Sequence, residues 1–303
     1  MSARPSPRDQ IIGCLLGGAI GDCVGAKYEG LSDLASLIDD SSSYITDDTQ
    51  LTLATCRSII KNSRIDPSSI AEEMANLFRR GEIIGIGAST YKSLYEISMG
   101  VHWALAGRKG DRAAGNGAAM RIAPLAFLLD PGDRTQRPLL RDVCRITHHH
   151  DEAYAGALAI ALAIRSVWKT PSHETDLLGA IARELPDCLI RERLLELSRL
   201  DTSTPIRDVS EQFGCSGYVV ESVPFAIYSA NQLGKLRFFD IIEAVIESGG
   251  DTDTNASMAG QIMGASIGSA SLPIQQLDRI IDGKSISSEA QQFADLVIRI
   301  TES

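Results

Sequence analysis

An all-α fold is predicted for this chain of 303 residues by three observations. Apolar residues recur at helical spacing along almost all of it, and alternating strand-like runs are nearly absent. Two segments, GALAIALAI at 156–164 and ASMAGQIMGASIG at 256–268, are small or apolar on every face. Helices of that kind sit in the middle of a larger protein with other helices wrapped around them.

The elements follow in order. Ser6-Pro7 supplies an N-cap and a first-turn proline to the opening helix, which carries Gly13, Gly17 and Gly21 four residues apart. Glycine costs a helix about 1 kcal/mol relative to alanine, so the stripe implies a neighbouring helix that uses the space. Helical periodicity then predicts helices at 48–61, 69–80, 89–106, 118–129, 152–168, 175–185 and 190–199. The last third continues with 219–233, 238–248, 254–269, 277–281 and 288–300. Loops are short, no Pro/Ser-rich linker or low-complexity stretch interrupts them, and no period repeats, so residues 1–303 read as a single domain.

Composition narrows the function classes. A hydrophobic content of 44% is ample for a buried core. Thirty-nine acidic against 29 basic residues give a formal charge of -10, with no basic block in the sequence, which argues against a nucleic-acid surface. Any anionic ligand is then held by local geometry. Six cysteines without paired spacing fit reduced thiols, and with no signal-peptide pattern the chain is expected to be cytoplasmic. The most apolar early run, IIGCLLGGAIG, is eleven residues long and too short to span a bilayer. With no exposed heptad pattern, a monomer is expected.

Two oxygen-rich clusters stand directly before apolar helices. ESGGDTDTNASMAG, 247–260, places Asp251, Thr252, Asp253 and Thr254 after a Gly-Gly turn, and ITDDTQLTLA, 45–54, places Thr46, Asp47 and Asp48 likewise. A helix start needs one cap and welcomes an acid or two, and both clusters exceed that. Clustered carboxylates repel unless protons or cations intervene, and oxygen-only ligands suit a hard cation such as Mg, Mn or Ca. If the two helix starts face each other, their oxygens suffice for two ions. The alternative is two independently capped helices. Glu29, in GAKYEG, is a candidate further ligand or base, or an exposed loop acid.

GNGAAMRIAPLA, 115–126, is a Gly-Asn-Gly turn feeding a helix. It reads either as an ordinary turn or as an anion-binding nest fit for a diphosphate. In THHHDEAYAGALA, 147–159, consecutive histidines point in different directions, so joint chelation is not expected; His148 beside Thr147 is the candidate ligand-bonding ring and the others a polar helix start. In GCSGYVVESVPFAIYSA, 214–230, Tyr218 follows a Gly-rich turn, where it either stacks on a base or covers the core.

In this order, GGAIGD, TDDTQ, GNGAAMR, the TH before a small-residue helix, GxSGY and GGDTDTNASMAG resemble the ADP-ribosylglycohydrolase family, of the dinitrogenase reductase-activating glycohydrolase kind. The resemblance runs from about residue 9 to 270, and TDDT with GGDTDTNA is a specific pair. It implies an all-α globule with a binuclear Mg or Mn centre and an ADP-ribose cleft. It implies Thr46, Asp47, Asp48, Asp251, Asp253 and Thr254 as metal ligands, with Asp253 bridging and Glu29 at the rim. Gly115, Asn116, Gly117, Ala118 and Met120 are implied as the diphosphate and ribose loop, with His148 and Tyr218 lining the nucleotide part. Glu29, Asp48 and Asp253 are the implied catalytic acids.

The function implied is hydrolysis of the bond between ADP-ribose and a modified protein side chain, arginine first, with an ADP-ribosylated protein as partner. ADP-ribosyl-serine or a small ADP-ribosyl compound comes second. One departure bears on this: the arginine-specific branch leads one to expect an acid between TDDT and GNG, and IIGIGASTYKSLY, 83–95, has none. A non-catalytic ADP-ribose binder that blocks a transferase, and a metal-dependent phosphoesterase, are the competing classes. They differ in product: none from the first, phosphate or AMP from the second.

Overall fold

The glycine stripe of the first helix determines what lies at the centre of the molecule. In the computed structural model, which describes residues 4–30, 43–170 and 176–302, helix α1 (Pro7–Gly25) packs along its length against α13 (Thr252–Ile267). A Cβ on Gly13 would lie 2.4 Å from the Gly264 carbonyl oxygen, on Gly17 2.3 Å from that of Gly260, and on Gly21 2.1 Å from that of Ala256. A fourth glycine, Gly25, faces the Thr252 oxygen in the same way at 2.5 Å. The two backbones are in contact, closer than any side chain would permit.

The remaining helices pack around this pair. They are α2 (Asp47–Asn62), α3 (Pro67–Arg79), α4 (Ala88–Ser98), the one-turn α5 (Ala123–Ala126), α6 (Arg137–Arg145), α7 (Asp151–Lys169), α8 (Leu177–Glu184) and α9 (Leu189–Leu197). Then come α10 (Ile206–Phe213), α11 (Val219–Ala230), α12 (Phe238–Glu247), the one-turn α14 (Ile274–Leu277) and α15 (Gly283–Glu302). Helices α7, α11 and α12 pack on α13, while α2 and α15 pack on α1. Both all-apolar segments lie where their composition predicts, in α7 and α13, and one cluster of buried side chains runs through the whole set. Among the described residues the only sheet is a two-residue parallel pair, β1 (Arg108–Lys109) with β2 (His148–His149). No helix among them is long and apolar enough to cross a membrane.

Four helix starts obey simple capping. Ser6 accepts from the Asp9 amide with Pro7 in the first turn, Asp66 accepts from Ser68 and Ser69, Asp176 from Gly179, and His150 from Glu152.

Several predicted bounds shift for visible reasons. The 89–106 helix stops at Ser98, where Gly100 turns left-handed at φ 92°. The 118–129 helix is a series of turns with only α5 regular. Asn116 accepts from both Ala119 and Met120, and Pro124 has no amide to continue a ladder. Helices α6 and α10 are unforeseen; each is short and charged on its outer face. The first residue of the 175–185 prediction lies outside the described residues, and the 277–281 prediction begins where α14 ends, at Leu277, so the helix there lies one turn earlier than predicted.

Candidate functional site

The two oxygen-rich helix starts do meet, and at neither does the N-cap residue use its side chain for capping. The N-cap residues of α2 and α13, Thr46 and Asp251, make no side-chain cap bond to their own helices. At α13 the Gly249-Gly250 turn, both residues left-handed at φ 71°, brings the chain onto the carbonyl of Cys215, where a Cβ on Gly250 would lie 2.4 Å from that oxygen. The Asp251 amide and the Asn255 side chain both donate to that same carbonyl. Thr252 donates to Gly25 O at 2.9 Å, which ties the start of α13 to the end of α1. The α2 start is tied to α1 by Asp22. Its fully buried carboxylate accepts from the amide and hydroxyl of Thr46, at 3.0 and 2.7 Å, and from the amide and hydroxyl of Thr49, at 3.1 and 2.5 Å.

Between the two starts, Thr254 donates to Asp48 Oδ2 at 3.2 Å. The other oxygen of Asp48, Oδ1, is buried with no hydrogen-bond partner. Oxygens of Glu29, Asp251 and Asp253 all lie within 4.8 Å of one another. This crowding shows in the acidities. Burial, then the Asp22 charge, pushes Asp47 up to about 7. Burial, then a hydrogen bond shared with Asp251, pushes Asp253 up to about 9. Asp48 is driven well above the carboxylate range by burial, then by Asp253, Asp22 and Asp47. Glu29 rises by burial, then by Asp251. Burial also raises Asp22, but all four of its neighbours donate, so its geometry accommodates the ionised form. An orphaned buried oxygen, an all-oxygen donor set and mutually repelling acids fit a hard divalent cation.

Beside the acids the 115–117 turn docks on the 215–219 segment. Asn116 N donates to Gly217 O, Val219 N donates to Ala114 O, and the Asn116 side chain donates to Asp251 at 2.8 Å. Glycine is needed at both ends of the turn because His148 lies against it: a Cβ on Gly117 would lie 2.8 Å from His148 Cε1, and one on Gly115 3.3 Å from Nε2. Beneath, the fully buried Arg121 donates to Thr147 Oγ1 at 2.7 Å, and that hydroxyl lies 2.8 Å from His148 Nδ1. Thr147, accepting from Arg121, has its own proton to give to Nδ1, and in that tautomer Nε2 carries the ring proton toward the turn. Burial, then the Arg121 charge, lowers His148 to about 3, so the ring is a neutral donor.

Glu29, Asp47, Asp251, Asp253, Thr254, Gly115, Asn116, Gly117, Met120 and His148 line one cleft of about 240 Å³. Thr46 and Asp48 stand just behind its wall, both buried. Ala118 is fully buried and is not among the lining residues; Tyr218 caps α11 at the rim, 39% exposed, and its main chain pairs with Gly115. A larger hollow of about 810 Å³ beside α14 and α15 contains none of these groups. Sequence reasoning missed Asp22 and Thr49; Gly85 and 87–90, from the acid-free 83–95 segment, join the lining beside Asp47. The signal for Asp22 was its position, a carboxylate at the end of an apolar glycine stripe where helix packing leaves no room for water.

A sequence model of the ADP-ribosylglycohydrolase family matches residues 3–302. The chain is similar to ADP-ribosylhydrolase ARH3 of Mus musculus, 28% identical over 318 residues, with 86% of this chain and 84% of that protein covered. It is similar to ADP-ribosylarginine hydrolase Tri1 of Pseudomonas putida (strain GB-1), 25% identical over 310 residues, covering 97% of this chain and 80% of that protein. A solved chain of an "ADP-ribosylglycohydrolase-related protein complex" shares the fold, with a TM-score of 0.68 at 24% identity over 96% of this chain and 99% of that one.

Proposed function

The chain belongs to the ADP-ribosylglycohydrolase family, and on that premise we propose that it hydrolyses the bond between C1 of a ribose in ADP-ribose and a modified protein side chain. The observation that carries this reading is the meeting of two helix starts whose acids are spare. Asp48 Oδ1 has no partner, and the meeting point shares its cleft with a glycine turn and a neutral histidine donor. In this reading Thr46, Asp47, Asp48, Asp251, Asp253 and Thr254 hold two divalent ions, Mg or Mn. Bound there, the ions would supply positive charge that fixes the ribose hydroxyls and keeps the carboxylates ionised.

The protein's own groups do the rest. The 115–117 turn and the His148 Nε2 proton take the diphosphate, which sets the sugar over the acids. Asn116 holds Asp251 in place through its side-chain amide. As the C1 bond breaks, positive charge grows on the ribose, and the carboxylates of Asp253 and Glu29 face it. A water adds at C1, and its proton passes to one of these carboxylates, while the leaving atom takes a proton from solvent. The geometry differs from a glycosidase pair of two free carboxylates flanking the bond.

Arginine is the first linkage in this reading, in keeping with the similarity to Tri1. One observation favours serine as the second: Gly85 and 87–90, which line the cleft beside Asp47, add no acid of their own to answer a guanidinium leaving group. The test follows released ADP-ribose by mass from peptides modified on arginine or on serine, with Mg or Mn and with chelator. Metal-dependent release from one of them assigns the linkage. ADP-ribose binding without release from either sinks the hydrolase reading and favours a binding role, and release of AMP favours a phosphoesterase.

A further inference from the structure

On the far side of His148 from the acids is a second cavity of about 270 Å³, built from the end of α6, strand β2 and the start of α7. His148 is the residue that the linings of the two cavities share, so its ring stands between them beside the nucleotide turn. Its chemistry is the reverse of the acid cluster. Arg145, exposed on the last turn of α6, has no ion-pair partner among the described residues. His150 accepts from the Glu152 amide through Nδ1, which leaves its Nε2–H free to donate, and His149 Nε2 has no partner at all. Arg141 lies over the Tyr154 ring and pairs with Asp151, so the one acid in the lining is already answered. The adjoining strand adds Arg108 and Lys109, paired in register with His148 and His149 and themselves without acidic partners among the described residues. In a chain of net charge -10, unpaired cations gathered at one end of a cleft mark an anion site.

Resting on the functional reading above, the ligand's course fixes which anion this is. With the distal ribose over the acids and the diphosphate at the 115–117 turn, the adenosine end points past His148 into this cavity. We propose that the cavity takes a phosphate monoester carried on the adenosine ribose, so that the site discriminates in favour of ADP-ribose bearing a 2′-phosphate. Arg145 supplies the charged contact, His150 a neutral donor, and Arg108 the surrounding field.

The test is calorimetric titration of the full chain, with Mg, against ADP-ribose and 2′-phospho-ADP-ribose, in the wild type and in Arg145→Gln and Arg108→Gln. Both substitutions are outside the acid cluster and the turn. The expected result is that the phosphate tightens binding by about tenfold, equal to about 1.4 kcal/mol. Arg145→Gln should remove most of that gain and Arg108→Gln part of it, with ADP-ribose itself bound as before. Equal affinity of the two ligands for the wild type overturns the proposal and leaves the functional reading intact, as does a gain that survives both substitutions. A gain reproduced by adding inorganic phosphate to ADP-ribose, with no advantage for the linked form, overturns it in favour of a free-anion site. Failure of both ligands to bind overturns the functional reading and this proposal with it.

Discussion

Asp22 offers the sharpest perturbation, because its carboxylate touches no ligand yet ties the acids of α2 to α1. Replacing it by alanine leaves the Thr46 and Thr49 amides buried without an acceptor; the two hydroxyls can rotate to other partners. Each orphaned amide costs about 1–3 kcal/mol, so the gross loss is about 2–6 kcal/mol. One effect opposes it: removing a buried charge relieves the repulsion that raises Asp47 and Asp48. When a divalent cation answers that repulsion, the relief disappears and the hydrogen-bond loss remains. The destabilisation should therefore be larger with Mn bound than without. Asp22→Asn keeps one acceptor oxygen and should lose about half as much. Because α2 is then free to shift, Mn affinity should fall by about 10–100-fold, the usual size for a residue that positions ligands. Calorimetric melting, with and without Mn, reads the first quantity, and Mn titration reads the second. An Asn variant that binds Mn like the wild type and melts at the same temperature would refute the reasoning.

Three further outcomes follow from the same geometry. Thr147→Val keeps the shape but removes the hydroxyl that joins Arg121 to His148; ADP-ribose affinity should drop by about tenfold, and stability by about 1–3 kcal/mol for the buried guanidinium left short of an acceptor, both measurable by titration and denaturant unfolding. The metal-free protein should lose stability as pH rises. Unfolded carboxylates ionise near 4, whereas folded Asp47 keeps its proton to about 7 and Asp253 to about 9, so the folded state binds more protons across that window. Added Mg should flatten the melting profile most at its alkaline end, and a profile that rises with pH in chelator would contradict the assignment. Gly17→Ala sets a methyl 2.3 Å from the Gly260 oxygen, where backbone must yield; a cost of about 1–3 kcal/mol is expected, with weaker Mn binding although the methyl is remote from every acid.

How much of this was legible in the sequence depended on whether a residue's partners were near it in the chain. The surplus oxygens of 45–54 and 251–254 could be read because helix capping has a known appetite, and these exceed it. The structure bears out that accounting, since Thr46 and Asp251 do not cap. The glycine stripe could be read because its periodicity is local. Asp22 could not, because its donors, Thr46 and Thr49, lie 24 and 27 residues away. The second cavity was hidden for a different reason: apart from Gly110 its lining lies within 141–154, and spaced charges there read as a solvated helix end until the β1–β2 pairing brings Arg108 beside them. The helix predicted at 118–129 rests on apolar spacing, but Pro124 and the double acceptance by the Asn116 carbonyl break its first part into turns.

The bare faces of α1 and α13 also set a schedule. Helix α1 leaves the ribosome with a smooth strip that nothing in the next two hundred residues can match, since its counterpart begins at Thr252. At about 5–20 residues per second, the strip waits roughly 10–45 s for its partner. Until then Asp22 can organise α2, but the second set of carboxylates does not exist, so no intermediate of synthesis holds a competent cation site. A fragment ending before Gly249 should show this as a surface that binds an apolar dye and takes up no Mn, while the full chain does the opposite.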